Sequence, residues 1–126
     1  MPEDSRLDRI LAYTTFHIGA YVTLAAASLV VDATTLGTDE WRLSAALLLF
    51  VVAGAAGGTI ASTAAEASSW ADLDSTNRLR ALGIPTFTFR TLAKIEHVAF
   101  WLGVLIPAWP RIVSALSGLV SHFRPR

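Results

Sequence analysis

No cysteine occurs among the 126 residues, which excludes disulfides, thiolate metal sites and cysteine redox chemistry. Charge is scarce as well. Asp, Glu, Lys and Arg make up 16% of the chain, against about a quarter in typical soluble domains. Ten basic residues balance ten acidic ones, so no excess charge draws the chain towards nucleic acid. There is no glycine-rich phosphate loop beside a strand pattern, and no nucleophile with a base and an orienting group. No extramembrane portion is large enough for a catalytic domain. An autonomous enzyme is therefore not expected. What fills the chain instead is hydrophobic residues, 53% of the total, in a length that suits one domain.

The few charges are clustered, and the gaps between them carry the fold class. Residues 10–31 are 22 positions without Asp, Glu, Lys or Arg, and residues 43–65 are 23 more. Crossing a hydrocarbon core takes about 20 apolar helical residues. Both intervals are expected to be transmembrane helices, joined by DATTLGTDEWR with Trp41 at an interfacial position. A cleaved signal peptide is the competing reading of the first interval. Its leading segment MPEDSRLDR is not basic, and the apolar run continues through Val31 past the small residues at 25–27. Both features predict a retained anchor.

The third apolar stretch, Val98 to Pro110, has only 13 residues free of charge and His, too few to span. It is expected to start near Thr91, with Lys94 reaching back to the interface, and to end at Trp109–Pro110. The alternative runs from His97 to about Val120 and buries Arg111, at a cost of at least ~2.5 kcal/mol. Beyond the prolines, Ile112, Val113, Leu116, Leu119, Val120 and Phe123 recur at helical spacing, opposite Ser114, Ser117 and Ser121. That pattern predicts a separate amphipathic helix over about 111–123, lying in the headgroup plane. Residues 66–90 are polar and predict a short helix ending near Gly83, then a turn at Pro85. The sum is an all-α integral membrane protein with three transmembrane helices and a C-terminal amphipathic interfacial helix.

Orientation follows from basic residues near the spans. Arg6, Arg9, Arg78, Arg80, Arg90 and Lys94 fall on one side, and Arg42, Arg111, Arg124 and Arg126 on the other. Six against four predicts a cytoplasmic N-terminus.

Polar residues inside the spans are the functional candidates. In YTTFHIGAYV, residues 13–22, Tyr13, His17 and Tyr21 share one helical face. With the first and third spans parallel, His17 and His97 are expected at matched depth, on the order of 10 Å below one surface. Glu66 and Glu96 are expected near that same surface. Four readings are open. The residues are helix-end groups reaching interfacial water; or His17 and His97 ligate a b-type haem. Alternatively, the cluster with Arg90 and Lys94 holds a quinone or an anionic lipid headgroup, with Tyr13 or Tyr21 as hydrogen-bond partner. In the last, Glu66, Glu96 and the histidines form an ion or proton pathway. Trp101, four residues after His97, would wall a cofactor site; otherwise it belongs, with Trp41, Trp70 and Trp109, to belt or packing positions.

The second span adds a different signal. Gly54, Gly58, Ser62 and Glu66 recur every four residues, widened by Ala61 and Ala65. Gly-x-x-x-Gly in an apolar helix permits close approach of a second helix. This predicts packing within the protomer, or assembly as a homo-oligomer or as an accessory subunit of a larger membrane complex. A small channel would instead line an oligomeric pore with Thr59, Ser62, Thr63 and Glu66.

Overall fold

A computed structural model describes residues 4–31, 33–75 and 88–122. Among the described residues five helices follow one another: α1 (Asp4–Val30), α2 (Ala33–Leu36), α3 (Glu40–Glu66), α4 (Trp70–Ser75) and α5 (Phe89–His122). No strand occurs among the described residues. Three helices, α1, α3 and α5, are long and apolar enough to cross a membrane. The first two have 27 residues each and α5 has 34, so they reach ~40 Å and ~51 Å at 1.5 Å per residue.

Local chemistry sets the boundaries. Gly37 adopts a φ of 61° and its N–H closes on Thr34 O at 3.1 Å, ending α2 in the left-handed conformation that glycine takes at least cost. The last α2 carbonyls then receive Arg111, whose Nε donates to Leu36 O at 2.6 Å and Nη2 to Thr35 O at 2.9 Å. A cation at a helix C-terminus meets both the orphan acceptors and the dipole. At α4, Ser69 Oγ accepts the Asp72 N–H, while Asp72 Oδ2 accepts the Ser68 N–H. Thr88 caps α5 by accepting the Thr91 N–H at 3.3 Å.

The helix α3 packs between α1 and α5. Seven of its nine buried positions, Leu43, Ala46, Phe50, Ala53, Gly57, Ile60 and Ala64, alternate steps of three and four, the seam of closely aligned helix pairs, and Ala56 and Thr63 widen it. Most of these side chains are small, so the neighbouring backbones come close. The largest, Phe50, seats in the notch left by Gly103, where an added Cβ would stand 2.7 Å from Phe50 Cε1. At the α4 end, Trp70 meets Phe89 edge-on at 5.6 Å and lies under the Arg6 guanidinium, while Leu73 is buried. The predicted helix end near Gly83 and the Pro85 turn lie outside the described residues, as do Phe123, Arg124 and Arg126.

The third segment corrects the sequence expectation. There is no break at Trp109–Pro110 and no separate helix over 111–123: α5 is continuous through Pro107, Pro110 and Arg111 to His122. The physical reason lies in a partner on another helix. Pro110 lacks the N–H that Ile106 O would accept, and Arg42 Nη1 on α3 donates to that carbonyl at 3.4 Å. Arg111 is not buried either; it is exposed and engaged with α2. Since the Arg42 bond is long, Pro110→Ala is expected to restore a shorter helical bond and stabilise the fold by about 1 kcal/mol, read from denaturant titration in micelles. A lower stability in Pro110→Ala would show that the proline shapes α5 favourably.

Candidate functional site

The centre of the bundle is polar. Glu96 on α5 is 2% exposed and Tyr21 on α1 is 2% exposed, and the Tyr21 hydroxyl donates to Glu96 Oε1 at 2.8 Å. Room for the carboxyl comes from α3. A Cβ at Gly57 would stand 3.3 Å from Glu96 Oε1 and 3.3 Å from Ile18 Cγ1, so the missing side chain lets the acid lie against the α3 backbone. Ala53 and Ala99 close around the Tyr21 ring, and Phe100 meets it at a tilt, 5.3 Å between ring centres. One hydrogen bond thus joins α1 to α5 across the face of α3. A buried carboxyl group requires such a partner.

A second tier lies further out on the same α1–α5 edge. Nδ1 of His17 donates to Tyr13 O at 2.8 Å and Nδ1 of His97 donates to Ala93 O at 2.9 Å. A carbonyl only accepts, so both Nδ1 atoms carry the proton. That leaves His97 Nε2 to accept from the Tyr13 hydroxyl at 3.2 Å. The His17 ring rests on Tyr13 at 3.9 Å and stands 6.0 Å from Tyr21. The predicted Tyr13–His17–Tyr21 face therefore exists, graded from a half-exposed Tyr13 to a buried Tyr21.

This arrangement does not fit a haem. Bis-histidine ligation needs both Nε2 atoms facing one iron, yet Tyr13 has its hydroxyl on His97 Nε2 and its ring against both imidazoles, tilted on His17 at 3.9 Å and parallel to His97 at 6.4 Å. Trp101 is 56% exposed and its ring meets Phe100 rather than a histidine. Arg90 and Lys94 are exposed on the first turns of α5, with no hydrogen bond to the tyrosines or histidines among the described residues. Nor do the two carboxylates converge. Glu96 lies level with Gly57, while Glu66 is exposed at the end of α3, nine residues or ~13 Å further along. No group of three His, Asp or Glu side chains is placed to hold a metal among the described residues.

The other candidate surface is the side of α3 turned away from its neighbours. Gly54 and Gly58 lie there, and a Cβ built on either meets nothing within 4 Å. Leu48 and Val51 beside them are exposed, Ala61 and Ser62 are half-buried and Ala65 is exposed. The hydroxyls of Thr59, Ser62 and Thr63 all donate to carbonyls of their own helix. These three and Glu66 share one helical stripe at i, i+3, i+4 and i+7, on which Thr63 is buried, Thr59 and Ser62 are half-buried and Glu66 is exposed. Gly57 and Gly103, with Arg42, are the positions that sequence reasoning passed over. The three-and-four seam through Phe50, Gly57 and Ala64 was the available signal for the first.

Comparison of the chain with family models, with curated proteins and with solved structures gives no match. The functional reading rests on the chain's own geometry.

Proposed function

We propose that this chain is an integral membrane subunit with a cytoplasmic N-terminus, and that it assembles through the Gly54–Gly58–Ser62 side of α3. The partner is a second copy or a helix of a larger membrane complex. One observation carries the reading. Close approach inside the protomer uses Gly57 and Gly103, whereas Gly54 and Gly58 abut open space. Two glycines in a membrane helix cost about 1 kcal/mol each relative to alanine, and no packing within the chain offsets that cost. Helices in lipid associate through such smooth faces, since apolar burial alone provides no drive there.

A haem, quinone or pore role is placed behind this reading. Tyr13 holds the nitrogen of His97 that a haem iron would need, and the Thr59 and Ser62 hydroxyls turn to their own backbone. The test is the Gly54→Leu/Gly58→Leu double substitution. Its expected result is loss of the higher-mass assembly by light scattering in mild detergent. Protomer stability should stay level or rise by up to about 1 kcal/mol per site from better helix propensity. An unchanged mass in the double variant would sink the proposal.

A further inference from the structure

We infer that the α2 end of the molecule carries a binding site for an anionic phospholipid, in the groove between the start of α3 and the proline region of α5. The inference rests on the three long helices spanning a membrane and is independent of assembly through α3. The groove is about 320 Å³, lined by Trp41, Arg42, Leu102, Leu105, Ile106 and Trp109, and presents almost only carbon. Such a lining suits an acyl chain. Its depth is set by the flanking groups: Trp41 and Trp109 are both more than half exposed, beside Asp39 and Arg111, where indoles occupy the headgroup level.

Arg42 supplies the anion preference. Its Nε meets Asp39 at 3.1 Å and its Nη1 meets Ile106 O, while Nη2 carries no hydrogen bond among the described residues. The guanidinium lies 5.1 Å from the centre of the Trp41 ring, which leaves its edge as the donor side. The Asp39 carboxylate is 64% exposed, and such surface pairs hold their charges weakly. A lipid phosphate is the stronger acceptor for a planar guanidinium. Arg111, by contrast, has Nε and Nη2 committed to the α2 carbonyls, so the two arginines at this end make separable predictions.

The experiment uses the full chain with Trp70→Phe and Trp101→Phe, leaving Trp41 and Trp109 as reporters. The protein is reconstituted in mixed phosphatidylcholine–phosphatidylglycerol vesicles, with brominated chains on one lipid at a time. The expected result is about fivefold preferential quenching by the anionic lipid, the enrichment one basic group produces at an anionic surface. That preference should vanish in Arg42→Gln, weaken in Arg42→Lys, which keeps the charge but not the planar fork, and survive in Arg111→Gln. Equal quenching by both lipids overturns the site while leaving the membrane reading intact. Equal loss in Arg42→Gln and Arg111→Gln reduces the preference to general surface charge and also overturns it. No quenching by either lipid overturns the membrane reading itself. Far-UV helix content of each variant confirms that a lost preference is not lost folding.

Discussion

Replacing Gly103 with Leu is expected to destabilise the packing of α3 against α5 by about 3 kcal/mol or more, the upper range for overfilling a packed interior. Even the first added carbon would stand 2.7 Å from Phe50 Cε1 and 3.1 Å from Phe50 Cδ1 and Cζ, well inside contact distance. The Phe50 ring is 4% exposed and cannot turn away without opening the seam. Better helix propensity returns only about 1 kcal/mol. The measurement is a denaturant titration of the variant in micelles, paired with Phe50→Ala/Gly103→Leu. The double variant should be more stable than the sum of its parts, because removing the ring makes room for the new side chain. Strict additivity would mean that the two residues do not share one space. The same Leu at Gly54 or Gly58 is expected to cost the protomer nothing, which separates internal from external glycines.

That separation was not legible in the sequence. Gly54 and Gly58 match the spacing associated with close helix approach, yet the glycine pressed between helices is Gly57, one position from Gly58 and about 100° around the helix. Alternation of hydrophobic and polar residues normally shows which side of a helix faces its neighbours, but α3 between Arg42 and Glu66 is apolar or small on every side. With no contrast to read, the pattern identified a smooth face and could not say which partner used it. The long helices α1 and α3 were legible for the opposite reason, since charge-free intervals of spanning length need no knowledge of orientation; α5 had only 13 residues free of charge and His and had to be extended past Lys94. The helices run past the charges that bounded the intervals: α1 ends at Val30 but starts at Asp4, six residues before the expected span, and α3 covers Glu40–Glu66 around the expected 43–65. At Pro110 the local rule failed, because whether a proline ends a helix depends on whether another group serves the carbonyl it orphans. Arg42, 64 residues away in sequence, serves that carbonyl.

The polar centre was half legible. Tyr21 and Glu96 each stood out as costly residues in apolar surroundings, but pairing them required the level of α5 relative to α1, which the misplaced end of the third helix obscured. His17 and His97 both meet Tyr13. Glu66 is not near Glu96, because an expected proximity to one surface says nothing about the nine residues of α3 from Gly57 to Glu66. The histidines turned out to be held by their own helices through Nδ1 and bridged by Tyr13. That is an interhelical tie before it is a ligand site.

Tyr21→Phe should therefore lose about 3 kcal/mol, the upper end for a buried acceptor deprived of its donor. The substitution removes one oxygen and leaves the ring among Ala53, Ala99 and Phe100, so the loss reports the hydrogen bond to Glu96 rather than a cavity. Glu96→Leu should cost a comparable amount, because it leaves the Tyr21 hydroxyl without its acceptor and sets branched carbon atoms against Gly57. Joining the two as Tyr21→Phe/Glu96→Leu should cost distinctly less than their sum, since a wholly apolar pair has no polar atom left to satisfy. Unfolding in detergent micelles, followed by helix content, gives the three values and their coupling. A coupling near zero would mean that the 2.8 Å contact contributes nothing to the fold. A strong coupling would make Tyr21–Glu96 the link between α1 and α5, which touch α3 far more than each other. Gly57 then has a stated purpose: Gly57→Ala presses on the carboxyl at 3.3 Å and on Ile18 Cγ1 at 3.3 Å, so it should destabilise the wild-type pair and cost less in a Glu96→Ala background, where only the Ile18 contact remains.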